Sequence, residues 1–569
     1  MTIAARPWAA AYPSGVPAEV TAPLARTLGQ LVRDTAARER DRTAYTVVMP
    51  NGMYGDLSFA EVDRLSDAFA AWLREVAGLQ PGDRVALQTP NSLTVPVVAF
   101  GTFKAGCVLV NVNPLYTATE MAHQIADAQP KVIVITDMFT DKLAEAGRIV
   151  PLPRVVVTRV AEWMPRAVRG VIGLVQKHWD RSIPAISIPH HRLAETLAEG
   201  ARLPRKAYDA DLSETAIAVL QYTGGTTGVA KGAILTHRNL LMNMAQAMTF
   251  INPHVAPGKE VVLTAIPTYH ILAFTLNLLG FFHLGARNLL IPNPRPLSNL
   301  KRAFENYPIT WIIGVNTLFN GLMNEYWFTT APPRKLKASF AGGMALHGAV
   351  ADRWRALTGT EIVEGYGLTE TSPVATGNPI GAARPGSIGI PMPSTDVRLL
   401  DDEGHEVPPG SPGEFAIRGP QVMQGYWNRP EETRAAICPE GFLRTGDIAV
   451  MDTDGYFRIV DRKKDMILVS GFNVYPNEVE DCLARHAAVQ ECAVIGVPDG
   501  AAGEFVRAYV VRRDPAVTEA DLRAHCKASL TAYKVPRQVV FRDELPKTNV
   551  GKILRRSLRD EALSQMKGE

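Results

Sequence analysis

Apolar residues in the first four-fifths of this chain follow two alternating rhythms. Spacings of three and four residues over 59–77 predict a helix with one apolar face. A Pro81-Gly82-Asp83 turn follows, and 84–88 reads as an apolar strand. Residues 132–136 and 155–158 are β-branched runs, the pattern of strands buried on both faces. Residues 216–222 form another apolar strand, which runs directly into a glycine-rich loop. Strands separated by helical stretches predict parallel sheets with crossover helices, an α/β fold. The longest apolar stretch, 271–284, is broken by Asn277 and His283 and is too short to span a bilayer, so a buried core helix is expected.

The texture changes near residue 390. Glycine, proline and charge recur at short spacing over 404–455, with strand-like pieces at 415–418 and 456–460, which predicts antiparallel β structure with tight turns. Five charged residues, Asp461-Arg462-Lys463-Lys464-Asp465, then interrupt the pattern. Beyond them a helix at 478–485, strands at 491–497 and 506–511, and a helix at 520–530 make a compact α+β unit. The expected division is a domain over 1–460, a hinge at 461–465 and a second domain over 466–569.

Composition narrows the class. A chain of 569 residues is too long for one core, and 46% hydrophobic with 21% charged residues is ordinary for a globular protein. A net charge of +3 and a pI near 8.5 are too weakly basic to argue for nucleic acid, and no aromatic-rich basic cluster supports one. The 5 cysteines are scattered without a Cys-x-x-Cys pair, which argues against a disulfide framework or zinc site and suits a reducing cytoplasm. Residues 1–15 lack the apolar core of a signal peptide.

The chemistry concentrates at 221–232, Gln-Tyr-Thr-Gly-Gly-Thr-Thr-Gly-Val-Ala-Lys-Gly. Gly224, Gly225 and Gly228 let backbone N–H groups converge on an anion, Thr223, Thr226 and Thr227 add hydroxyl donors, and Lys231 adds a compact positive charge. The set suits a triphosphate. It is not a Walker A loop, because no glycine lies five positions before a Gly-Lys-Ser/Thr triplet.

From this loop onward the chain resembles the adenylate-forming superfamily of acyl-CoA synthetases, luciferases and peptide-synthetase adenylation domains. Further motifs follow in order: Ile266-Pro267-Thr268-Tyr269-His270, Gly365-Tyr366-Gly367-Leu368-Thr369-Glu370, Arg444-Thr445-Gly446-Asp447, the charged run at 461–465, and Pro546-Lys547-Thr548-Asn549-Val550-Gly551-Lys552. Segments 110–116, 314–320 and 469–478 look closest to bacterial long-chain fatty acid–CoA ligases. Phe442 and Arg444 depart from that pattern, where tryptophan and histidine are frequent, and Thr268 stands where many members have leucine.

The resemblance implies a large N-terminal domain of αβαβα layers with a small β-barrel-like part, and a small mobile α+β C-terminal domain. It implies an ATP-dependent ligase joining a fatty acid to coenzyme A through an acyl-adenylate, with magnesium. Lys231 and the 223–228 loop would hold the β- and γ-phosphates, and Glu370 and Thr226 would bind magnesium. Tyr366 would pack on adenine opposite Gly342 and Gly343, with Gly365, Gly367 and Thr369 in the same wall. Asp447 and Arg462 would take the ribose. Lys552 would bridge the attacking carboxylate and the α-phosphate, and His270 would gate the path between acyl chain and adenylate. Lys464 would be the hinge that removes Lys552 before thiol attack, bringing Ser470 and Gly471 to the coenzyme A tunnel. Tyr269, Phe274, Gly314, Val315 and Asn316 would line the acyl pocket.

Other readings stay open. An aryl- or short-chain acyl-CoA ligase shares every nucleotide motif, and an inactive nucleotide-binding or membrane scaffold is a different class, opposed by the intact Lys231, Glu370, Asp447, Arg462 and Lys552. Over 163–181 apolar residues recur at helical spacing beside Arg166, Arg169, Lys177 and Arg181, which suits either a basic amphipathic helix on an anionic membrane or a helix packed on the main domain. The expected setting is the cytoplasm, with a peripheral contact on the inner face of its membrane if the first reading holds. A homodimer is left open.

Overall fold

The structure, a computed structural model, describes residues 6–164, 169–170, 183–223, 230–408, 410–470, 472–499, 503–548 and 551–568. Most of segment 163–181, the loop residues Gly224, Gly225, Thr226, Thr227 and Gly228, and Gly471 therefore lie outside the described residues.

Two sheets dominate the first 390 residues. In a seven-stranded sheet, strands Arg84–Gln88, Val108–Asn111, Val132–Thr136, Arg154–Thr158 and Ile217–Thr223 run parallel, and Lys231–Thr236 returns antiparallel at the edge. In a nine-stranded sheet, Thr43–Val48, Val261–Thr264, Arg287–Leu290, Trp311–Gly314, Ala338–Ala341 and Ile362–Gly367 form a parallel centre with antiparallel strands at both edges.

The two-residue repeat of a strand explains how these sheets stack. Val85 and Leu87 face one apolar core, whereas Ala86 between them faces another. Val132 and Val134 divide from Ile133 and Ile135 in the same way. The shared core lies between the sheets and is filled by helices Phe59–Ala71, Thr94–Lys104 and His237–Ile251. Ala118–Ala128 and Thr140–Ala146 cover the outer face of the first sheet, and Asn316–Leu322 and Gly348–Thr358 that of the second. Helix, sheet, helix, sheet and helix thus form five layers. Helix starts are locally encoded: Ser58 and Glu61 cap one inner helix reciprocally, as Thr236 and Asn239 cap another.

The expected core helix at 271–284 is present but wound wider. Ala273–Phe281 is a π-helix, every residue of which is buried. Such widened turns concentrate near functional positions, and this one begins three residues after His270. Among the described residues, no helix is long and apolar enough to cross a membrane.

The glycine-rich texture beyond residue 390 forms a four-stranded antiparallel sheet, Asp396–Leu400, Gly413–Arg418, Leu443–Met451 and Phe457–Arg462. The charged run ends the last of these strands and turns into a small α+β domain. That domain has a hairpin at Ile467–Val469 and Phe472–Val474, a three-stranded sheet, and helices Pro476–Ala484, Glu519–Ser529 and Arg555–Gly568. Its two apolar cores, one around Val494 and one around Ile495, contain residues of this domain alone.

Close layer packing makes a steric prediction. Gly200 ends the helix Leu193–Gly200, and a Cβ there would lie 1.9 Å from the Ala68 carbonyl oxygen. Gly200→Ala should lower stability by about 1–3 kcal/mol, the cost of overpacking. Gly348→Ala should be neutral, since a Cβ there meets nothing within 4 Å. Thermal melts of both variants check this.

Candidate active site

A cavity of about 1800 Å³ opens where the strand ends of the nine-stranded sheet, the antiparallel sheet and the C-terminal domain meet. Its walls include Thr223, Tyr269, His270, Gly342, Gly343, Gly365, Tyr366, Gly367, Thr369, Glu370, Asp447, Arg462, Lys464 and Lys552. Residues spread over more than 300 sequence positions are thus brought together. This is the crevice outside the carboxyl ends of parallel strands, where open α/β sheets bind ligands.

Lys552 reaches into this cavity from a tight loop. Thr548 ties the loop, donating its N–H to the Lys552 carbonyl at 2.7 Å and accepting from the Lys552 N–H at 3.1 Å. The Lys552 side chain then crosses the bare face of Gly343, where a Cβ would sit 3.3 Å from Cε and 3.6 Å from Nζ. Burial pulls the Lys552 pKa down to about 8; Arg462 lowers it further, while Asp447 and Glu370 favour the charged form.

Asp447 and Arg462 face each other as cross-strand partners, with Nε 3.4 Å from Oδ1. The other Asp447 oxygen accepts the Tyr366 hydroxyl at 2.5 Å. Burial raises the Asp447 pKa, opposed by Arg462, and also pushes the Tyr366 phenol well up, so that hydroxyl stays a donor. Tyr366 packs edge-on against Phe415, with ring centroids 5.5 Å apart. Its ring therefore has a fixed plane beside the cavity.

Glu370 accepts the Tyr426 hydroxyl at 2.7 Å, and the Lys231 ammonium lies 5.2 Å from the Tyr426 ring centroid. One aromatic residue thus links the lysine beside the glycine-rich loop to the carboxylate. Among the described residues no cluster of three or more His, Cys, Asp or Glu could form an all-protein metal cage. A single anchored carboxylate fits magnesium instead, which keeps waters and takes further oxygens from substrate phosphates.

The loop carrying His270 is clamped from two sides. Asn91 donates to the Thr264 and Ile266 carbonyls at 3.0 Å each and accepts the Thr268 N–H at 2.7 Å. Gln221 donates to the Tyr269 carbonyl at 2.8 Å and is itself held by Asn111 at 2.9 Å. The His270 Nδ1 accepts the Leu272 N–H at 3.4 Å, which places the ring proton on Nε2. Burial, reinforced by Lys552, pulls the His270 pKa down to about 3. The ring is therefore neutral at working pH and is unsuited to carrying a proton.

The same cavity is lined by apolar residues, among them Ala247, Ile251, Leu276, Ile313, Phe340 and Met392. Of the residues read from sequence for an acyl chain, Tyr269 borders the cavity and four do not line it. Phe274 is fully buried in the inter-sheet core, edge-on to Phe103. Gly314 packs against Leu318 and Phe319, Val315 meets Gly551, and the Asn316 amide oxygen accepts the His347 N–H. Ser470 lies away from the cavity at a hairpin turn with φ +50°.

Several polar residues at the site were not singled out from sequence: Asn91, Asn111, Gln221, Tyr426, His347 and Glu364. Glu364 is buried on the cavity wall, accepts the Leu346 N–H at 3.1 Å, and is pushed up to about 8 by burial. Two of these carried a legible signal, since Gln221 adjoins the phosphate loop and Glu364 precedes the Gly365 motif.

Comparison with known proteins agrees with this geometry. The family described as AMP-binding enzyme matches residues 32–427, and its C-terminal domain matches 478–552. A long-chain-fatty-acid–CoA ligase of Yersinia pestis is 48% identical over 97% of this chain and 98% of its own length. The same enzyme of Bacillus subtilis is 39% identical, covering 98% of each chain. Among solved structures, an anthranilate CoA ligase in complex with anthranoyl-AMP superposes with a TM-score of 0.84 at 26% identity, covering 96% of this chain and 99% of its own. A benzoate CoA ligase from Burkholderia xenovorans LB400 gives 0.80 at 26% identity, over 94% and 99%.

The electrostatics predict two titrations. Lys552 should hold its charge below pH 8 and lose it as pH rises through about 8, whereas His270 should show no protonation between pH 5 and 9. NMR of isotope-labelled histidine and of the Lys552 ε-carbon reads both, with lysine and histidine substitutions as assignments. A His270 midpoint near the free-histidine value of about 6.5 would contradict this account.

Proposed function

We propose that this chain, which belongs to the AMP-binding enzyme family, is a long-chain fatty acid–CoA ligase. It converts fatty acid, ATP and CoA to acyl-CoA, AMP and pyrophosphate. The observation that carries the reading is the Lys552 ammonium, held over Gly343 between His270, Asp447 and Glu370 at the head of an apolar pocket. Near-full-length identity of 48% to an enzyme of that name supports the substrate class.

In the first half-reaction a fatty carboxylate oxygen attacks the α-phosphorus of ATP and the bond to pyrophosphate breaks. Both reactants are anionic, so the transition state gathers negative charge where they meet. Lys552 would supply the compensating cation there. Asp447 and Arg462 would orient the ribose, and Tyr366 would pack on adenine across from Gly342 and Gly343. Lys231 and Thr223, with Gly224, Gly225, Thr226, Thr227 and Gly228, would hold the β- and γ-phosphates. Glu370 and Thr226 would hold magnesium, which when bound neutralises triphosphate charge.

In the second half-reaction the CoA sulfur attacks the acyl carbonyl carbon and AMP leaves. Lys552 in place would block the thiol on that side. Rotation about Lys464 would withdraw Lys552 and bring up the hairpin at Ser470, which Gly471 follows in sequence. Phe472 on this hairpin is 56% exposed and, among the described residues, stacks on Tyr533 of its own domain, which suits a surface that docks after rotation. A neutral His270 suits a gate between acyl chain and adenylate. The reading includes a peripheral contact of segment 163–181 with the inner face of the cytoplasmic membrane, where the fatty acid dissolves, and leaves room for a homodimer.

The test is acyl-CoA formation from saturated acids between acetate and stearate, with benzoate and ferulate alongside, given ATP, magnesium and CoA. A maximum at long chains is expected. A maximum at aryl or very short acids would keep the reaction and overturn the substrate. No acid-dependent AMP release with any of them would overturn the activity.

A further inference from the structure

The C-terminal domain holds Lys552 in the cavity without any shared apolar core. Among the described residues, each of the large hydrophobic clusters belongs wholly to one side of the hinge. What joins the two sides is polar, and much of it converges on one short helix, Asn316–Leu322, and the loop beside it.

Thr317 donates its hydroxyl to the carbonyl of Gly551, the residue before Lys552, at 3.2 Å. Asn320 donates to the Gln490 carbonyl at 3.2 Å and accepts from Arg513 at 3.4 Å. Asn316 accepts the His347 N–H at 3.2 Å, fixing the point where the Gly342–Gly343 wall turns into the helix Gly348–Thr358. From there the His347 Nδ1 meets Asp481 Oδ1 at 2.8 Å, with the His347 side chain 18% exposed and Asp481 50% exposed. The contacts reach four parts of the C-terminal domain: the lysine loop, the start of the strand Val489–Pro498, Arg513 just after the strand Glu504–Arg512, and the helix Pro476–Ala484.

We propose that Thr317, Asn320 and His347, with Asn316 behind them, are positioning residues that form a polar latch. The latch holds the C-terminal domain in its adenylate-forming position and thereby sets how the enzyme divides its time between the two half-reactions. This deepens, and rests on, the acyl-CoA ligase reading. The chemistry suits a joint that must open at each turnover. An apolar interface of the same reach would have to expose buried surface to open. Hydrogen bonds, among them the one between His347 and the half-exposed Asp481, exchange instead for water at small net cost. The population of the closed state then depends on a few replaceable contacts.

The test separates the half-reactions. Pyrophosphate release from palmitate and ATP without CoA reads the first, and palmitoyl-CoA formation from supplied palmitoyl-AMP and CoA reads the second. His347→Ala and, from the other side of the joint, the half-exposed Asp481→Ala should each slow the first about tenfold and leave the second unchanged or faster. The double variant should be no slower than either single one, since both break the same contact. His347→Asn, which keeps a nitrogen donor near the Nδ1 position, should recover most of the loss. Equal loss in both half-reactions, additive single effects, or variants that match wild type in both would each overturn the latch. Failure of the ligase reading is distinguishable, because the unsubstituted enzyme would then release no palmitate-dependent pyrophosphate.

Discussion

The Lys552 ammonium occupies a cavity whose burial alone works against its charge, next to Arg462, which opposes it further, and to Asp447 and Glu370, which favour it. The balance leaves a cation at neutral pH, close to losing its proton. Such a group is worth most where water is excluded and negative charge is about to gather. On the proposed reading it is also an obstacle, because the thiol of the second half-reaction must reach the carbonyl that it covers. Much of the architecture can be understood as a means of delivering this one charge and then removing it.

Delivery depends on parts that stay still. Gly343 leaves the space that the lysine stem crosses, and the Asn91 and Gln221 clamps fix the His270 loop opposite. The cross-strand pairing of Asp447 with Arg462 places the carboxylate at a depth that burial and Tyr366 then hold. The proposed removal asks for a part that can move. The C-terminal domain carries its own apolar cores and, among the described residues, shares none with the larger domain. Polar contacts between the two are consistent with a joint made and unmade in each cycle.

The layered sheets were legible because their residues repeat locally. β-Branched runs at 132–136 and 155–158, and apolar spacing over 59–77, each carry a period that one element must satisfy. The nucleotide motifs were legible because glycine, threonine and charge cluster within a few positions. The apolar part of the cavity wall was not. It is assembled from separate parts of the chain, through Ile251, Leu276, Ile313 and Met392, and none of these differs in sequence from an ordinary core residue. Phe274 was read as pocket, but its side chain is buried in the inter-sheet core. Segment 314–316 was read as pocket for its likeness to fatty acid ligases, and here it faces the lysine loop and His347. A contact between domains leaves no period in the chain, so His347 and Asp481 could be paired only once the fold had brought them to 2.8 Å.

The most direct measurement is the pair of half-reactions in Lys552→Ala. Pyrophosphate release from fatty acid and ATP should fall on the order of 100-fold or more, the scale seen when one transition-state charge stabiliser is removed. Thioester formation from supplied acyl-adenylate and CoA should stay near the wild-type rate. If both half-reactions fell together, Lys552 would not be the charge that serves adenylation alone, and the account built on its delivery and withdrawal would be contradicted.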